Sequence, residues 1–126
     1  MSTPKKILVV DDEPDVVKWL TVLFENNGYE VLSAPDGAAG YAIAESTPPD
    51  LITLDISMGG ESGVKMYKKL LDNAKTAPIP VIMLTGASPQ LDGFLARMRN
   101  SKKPAAFMEK PVTDSELLEK VKSLLN

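Results

Sequence analysis

Cysteine and histidine are both absent from these 126 residues. Without cysteine there are no disulfides and no thiolate metal sites, and without histidine the commonest general base and transition-metal ligand is gone. Any metal bound here must therefore prefer oxygen. Aromatic residues are few, three Phe, three Tyr and one Trp, which leaves little with which to stack a flat cofactor. Charge of one sign is also missing. Fourteen Lys and Arg stand against seventeen Asp and Glu, a formal net charge of −3, and their mixing gives no basic stripe, so no direct nucleic-acid contact is expected. No apolar run approaches the roughly 18 residues of a membrane span, and Met1 to Lys6 lacks the apolar segment of a secretory signal. A cytoplasmic protein with no membrane insertion is expected. The phosphate-cradling patterns G-x-x-x-x-G-K-[ST] and G-x-G-x-x-G are absent as well, and nothing resembles a twelve-residue calcium loop.

What is present is a regular alternation of short β-type runs and helical segments, with 44% apolar residues, no internal linker and no repeat. One domain over 1–126 is expected. The run 6–10 reads as a strand buried on both faces, and Glu13-Pro14 opens a helix on which Val16, Leu20, Leu23 and Phe24 recur at helical spacing until Asn26-Asn27-Gly28. Tyr29 to Ala34 is the second strand. Asp36 caps a helix reaching about Ser46, ended by Pro48-Pro49, and Leu51 to Asp55 is the third strand. Val64, Tyr67, Leu70 and Leu71 give the next helix its apolar side. Pro78-Ile79-Pro80 is tolerated only at a strand's start, which sets the fourth strand at Ile79 to Leu84. A fourth helix is expected over 89–100, weakened by Gly93, and the fifth strand over 105–109. Thr113-Asp114-Ser115-Glu116 is a capping box opening the last helix, whose Leu117, Val121, Leu124 and Leu125 face inward.

Five strands alternating with five helices predict an α/β fold, a parallel sheet covered by helices on both faces in three layers. The flavodoxin-like strand order 2-1-3-4-5 fits best, and in such sheets ligands bind beyond the carboxyl ends of the strands, between strands one and three. Asp11 and Asp12 follow strand one, Asp55 ends strand three, Thr85 follows strand four and Lys110 follows strand five. Each has an ordinary reading: Asp12 as a helix cap, Asp55 and Thr85-Gly86 as turn residues, Lys110 as a solvated lysine. Together they are harder to dismiss, because converging acids repel and raise one another's pKa unless a cation compensates.

An oxygen-only site with few carboxylates suits magnesium, which keeps several waters and is often completed by phosphate oxygens. With no serine–histidine or cysteine nucleophile available, a carboxylate is the natural phosphoryl acceptor, and Asp55 stands at the centre of the cluster.

These residues resemble the receiver domain of two-component response regulators over the whole chain: Asp11-Asp12-Glu13, Asp55, Thr85-Gly86-Ala87 and Lys110-Pro111 stand at the ends of strands one, three, four and five. The resemblance implies the CheY-like form of the fold, with Asp55 as phosphoacceptor. It implies Mg2+ held by Asp12, Asp55 and the main-chain carbonyl of Ser57, with Asp11 acting through a metal-bound water. Lys110 would pair with the phosphoryl group across a cis Lys110–Pro111 bond. Thr85 and Phe107 would be the switch residues, and the fourth expected helix, the fifth strand and the last helix would form the output face. The implied donor is a sensor histidine kinase or a histidine phosphotransfer protein acting in trans. The implied receiver of the signal is a downstream protein or an output domain that this sequence does not contain. The protein would not be an enzyme beyond its own phosphotransfer and dephosphorylation.

Some positions depart from the family's pattern. Gly59 stands where proline is common, although Gly63 keeps its place, and the stretch from Thr85 to Lys110 is longer than usual and basic at Arg97, Arg99, Lys102 and Lys103. Ser57 and Ala87 flank the acceptor and bear on the lifetime of its phosphate. A phosphorylation-independent interaction module is the alternative. A haloacid-dehalogenase-type magnesium phosphatase is less well matched, because it needs an acid two residues after its nucleophile and Ser57 stands there. A flavodoxin-like redox module would need more loop aromatics.

Overall fold

The structure, a computed structural model, describes residues 3–56, 62–86, 96 and 102–125. Five parallel strands form one sheet in the order β2-β1-β3-β4-β5: β1 Lys6–Val10, β2 Glu30–Ala34, β3 Leu51–Asp55, β4 Val81–Thr85 and β5 Ala106–Glu109. Four helices are described: α1 Pro14–Glu25, α2 Gly37–Ser46, α3 Ser62–Asp72 and α4 Asp114–Leu125. The α/β architecture and strand order are those expected from the alternation. The helix expected over 89–100 lies outside the described residues apart from Ala96, as do Ser57, Gly59, Ala87, Arg97 and Arg99.

The three inner strands are nearly continuous apolar runs because both of their faces are covered. Successive side chains point to opposite faces, so each run feeds two cores. Leu8, Val10, Ile52, Leu54 and Met83 join Met66, Tyr67 and Leu70 of α3 and Ala44 of α2. Ile7, Val9, Leu51, Ile82 and Leu84 join Leu20, Leu23 and Phe24 of α1 and Leu117 and Val121 of α4. Met66, absent from the apolar positions read on α3 in the sequence, is 1% exposed. At Gly40, a Cβ would come within 2.8 Å of Val10 Cγ2 and 3.0 Å of Met66 Sδ, so glycine lets α2 lie close to sheet and neighbour.

The helix ends follow local chemistry. Pro14 occupies the first turn of α1, and Gly28 takes φ +89° just beyond its end, a conformation that glycine adopts without penalty. The Asp36 carboxylate accepts from the Ala39 amide at 2.8 Å. Thr113 Oγ1 accepts from the Glu116 amide at 3.2 Å and donates to Glu116 Oε1 at 3.0 Å. β4 begins at Val81 rather than Ile79. The Ile79 amide closes a turn on the Thr76 carbonyl at 3.0 Å, while the Pro80 carbonyl accepts the first ladder bond from Ile52. The turn consumes the donor that an earlier start would have required.

Candidate functional site

Register decides which strand ends meet. Val10 lies opposite both Ala34 and Leu54, and Asp55 lies opposite Leu84. The residue following β1 therefore stands beside the last residue of β3. Both side chains are buried, Asp11 2% and Asp55 1% exposed, whereas Asp12 and Glu13 are exposed. Carboxylate oxygens of Asp11, Asp12, Glu13 and Asp55 all lie within 4.8 Å of one another. Lys110 enters from the end of β5, its Nζ 3.1 Å from Asp55 Oδ2 and 3.6 Å from Asp11 Oδ2. Its main-chain amide donates to the Thr85 carbonyl at 2.7 Å, and the Lys110–Pro111 peptide bond is cis.

Sequence reasoning missed two details. Glu13 joins the acidic cluster, a membership that the three consecutive acids after β1 already signalled. Ahead of α1 it is the Asp11 carboxylate that bonds the main chain, closing a turn onto the residue that precedes the helix. Asp11 Oδ1 accepts from the Glu13 amide at 2.9 Å, and Glu13, the residue preceding the helix, makes no side-chain cap. Thr85 is buried at the end of β4. Phe107 is half-buried on β5, opposite Met83, against the core shared with α2 and α3. The expected main-chain ligand Ser57 lies outside the described residues.

The electrostatics follow from packing negative groups into a buried corner. Burial pushes the Asp11 carboxyl up from 3.8 to about 6, and the charge of Asp55 adds to the rise, against the pull of the Glu13 amide and the Lys110 ammonium. Burial works against the Lys110 ammonium, yet the hydrogen bond and charge of Asp55, with the charges of Asp11 and Glu13, hold its pKa above the ordinary lysine value. One ammonium thus serves two buried carboxylates. Among the described residues, Asp11 Oδ2 is buried without a hydrogen-bond partner. A buried carboxylate oxygen with no hydrogen bond and only the Lys110 ammonium at 3.6 Å, set among further carboxylate oxygens, fits a hard cation such as magnesium, since the donor set is all oxygen and partly open to water.

The comparisons with known proteins agree with one another. The family model for the response regulator receiver domain matches residues 7–122. Protein PilH of Pseudomonas aeruginosa is 32% identical over 120 residues, covering 95% of this chain and 97% of that protein. The alkaline phosphatase synthesis transcriptional regulatory protein PhoP of Bacillus subtilis is 35% identical over 121 residues, covering 96% of this chain and 48% of PhoP. The chain thus spans nearly all of one relative and about half of the other. Among solved structures, a CheY-like response regulator receiver domain protein from Methanospirillum hungatei superposes with a TM-score of 0.84 at 30% identity, covering 98% of this chain and 94% of that one. The chemotaxis response regulator CheY4 of Vibrio cholerae gives 0.84 at 26% identity, covering 98% and 100%. With strand order, acidic corner and lysine already in place, the chain belongs to the response regulator receiver domain family.

Proposed function

We propose that residues 1–126 act as one cytoplasmic receiver unit that takes a phosphoryl group from a phosphohistidine donor onto Asp55. The observation that carries this reading is the buried Asp55 carboxylate held by Lys110 Nζ at 3.1 Å beside Asp11. These residues contain no histidine, so the phosphohistidine lies outside them, and the donor in this reading is a sensor histidine kinase or a histidine phosphotransfer protein acting in trans. The bond from phosphorus to the donor's imidazole breaks, its electron pair staying on the ring nitrogen, as an Asp55 oxygen bonds to phosphorus. Hydrolysis by water later returns the carboxylate and releases inorganic phosphate.

Asp11, Asp12, Asp55 and the main-chain carbonyl of Ser57 would hold Mg2+. When bound, it neutralises charge on the oxygens of the transferring group. Lys110 already spans the two buried carboxylates, so its ammonium can pass from Asp55 to a phosphoryl oxygen without crossing the pocket. The Thr85 hydroxyl, at the neighbouring strand end, would donate to the phosphoryl group. Drawing Thr85 inward would bias Phe107 and the face that includes β5 and α4, a two-state shift read by a downstream protein or output domain.

Intact mass after incubation with acetyl phosphate tests the chemistry. The expected result is a gain of one labile phosphoryl group that requires magnesium and disappears in Asp55→Ala. No gain by the folded protein, with a reactive receiver run in parallel, would instead favour an interaction module independent of phosphorylation.

A further inference from the structure

Charge is unevenly distributed along the chain. Eight of the fourteen basic residues, Lys65, Lys68, Lys69, Lys75, Arg97, Arg99, Lys102 and Lys103, fall between 62 and 103, where the only acids are Asp72 and Asp92. The rest of the chain is correspondingly acidic. The six lysines of this group are all exposed, and none is ion-paired among the described residues, whose ion pairs involve only Lys6 and Lys110. Lys65 and Lys69 are four apart on α3, a spacing at which like charges cost a few tenths of a kcal/mol. Lys69 is turned over the Tyr41 ring, 5.6 Å from its centre.

The fold brings the two ends of this basic stretch together. The buried Tyr67 of α3 donates its hydroxyl to the Lys102 carbonyl at 2.9 Å. Beside that bond Leu71, Ala77, Pro78 and Lys102 line an open recess of about 510 Å³. A smaller cavity of about 150 Å³ shares those four residues and reaches Lys103 and Ile79. Lys68 precedes Leu71 by three positions and so shares its side of α3, and Lys75 lies in the turn leading to Ala77. Among the described residues the recess is walled by Leu71, Ala77 and Pro78, with Lys102 as its lysine and Lys103 in the adjoining cavity. It sits where β4 and β5 begin, at the opposite end of the sheet from Asp55.

We propose that this face docks an acidic segment of a partner protein, one apolar side chain of which enters the recess between Leu71, Pro78 and Lys102 while its carboxylates meet Lys68, Lys75, Lys102 and Lys103. Charge complementarity sets the sign of the partner, and the apolar walls set its class. A nucleic acid would gain from the lysines but not from the recess. Among the described residues it would also lack a stacking platform here, since Tyr67 is 3% exposed and Lys69 lies over Tyr41. A partner here leaves Asp55 open to its donor, so both can bind at once.

The test is a titration of the full chain followed by amide NMR. The probes are a short peptide of Glu and Asp with a central leucine, the same peptide with serine for leucine, and a single-stranded oligodeoxynucleotide of equal charge. The leucine peptide is expected to give saturable shifts at Leu71, Ala77 and Lys102. Binding should weaken about tenfold or more with serine, as expected for burial of one leucine side chain, and should also weaken in Lys68→Glu and in Lys102→Glu. Acetyl phosphate labelling of Asp55 should be unchanged in both variants. Equal binding of the serine peptide would reduce the face to diffuse attraction, and tighter binding of the oligodeoxynucleotide would make it a nucleic-acid surface. Either result overturns the proposal, as does the absence of saturable shifts.

Discussion

Asp11 holds one carboxylate oxygen on the Glu13 amide at 2.9 Å and leaves the other buried without a hydrogen-bond partner among the described residues. Its folded pKa of about 6 lies above its ordinary 3.8, so its contribution to stability is present below about pH 4 and lost as pH rises through 6. Asp11→Asn keeps the bond to the Glu13 amide and removes the charge. In EDTA the variant should match wild type near pH 4 and exceed it by about 1–3 kcal/mol at pH 7.5, measured by denaturant unfolding. Parallel pH profiles for the two proteins would contradict this account. Added magnesium should stabilise wild type more than the variant, because a ligand that binds only the folded form raises its stability. Thr53 presents a different case. Its hydroxyl is buried in β3 without a partner among the described residues, so Thr53→Val, nearly the same in shape, should gain about 1 kcal/mol. A loss instead would mean that the hydroxyl is hydrogen-bonded in solution.

At the scale of elements, helix propensity and packing oppose each other at Gly40. Alanine would favour α2 by about 1 kcal/mol, but its Cβ would lie 2.8 Å from a methyl of Val10, a rigid side chain 1% exposed in β1. The Met66 thioether at 3.0 Å can give way, and Val10 cannot. Overpacking of this kind costs about 1–3 kcal/mol. Gly40→Ala should therefore be net destabilising in thermal unfolding, and Val10→Ala in the same chain should recover part of the loss as a positive coupling. Additive effects of the two substitutions would separate the glycine from the sheet contact. The elements themselves were largely legible in the sequence. The Asp36 cap, the Thr113–Glu116 box, Pro14 and Gly28 are local signals whose energetics depend on neighbours in sequence. The start of β4 is not legible locally because the Thr76–Ile79 turn competes for the same backbone donor, and the burial of Met66 is not, because it depends on α2 lying against it.

For the whole molecule, the sheet separates two ends of opposite charge. Asp11, Asp12, Glu13 and Asp55 gather where β1 and β3 end, and Lys102 and Lys103 stand at the cavities where β4 and β5 begin. If phosphorylation of Asp55 draws Thr85 inward, amide shifts should change at Thr85, Phe107 and along α4. They should change less on β2, which pairs only with β1 at the far edge of the sheet. Changes confined to Asp55 and its immediate neighbours would leave no global switch. The sequence by itself determined the alternation, hence the parallel sheet and its strand order, and it placed acids and a lysine at the ends of particular strands. Those properties are written in periodicity and in residues adjacent along the chain. Only the tertiary structure decided that Lys110 lies 3.1 Å from Asp55, a residue fifty-five positions earlier, that Asp11 rather than Asp12 is the buried acid, and that Glu13 joins the cluster. It alone brought Lys102 against Tyr67 and Leu71 of α3. Distances between residues far apart in the chain depend on strand register and on how helices settle against the sheet, and no local pattern encodes either.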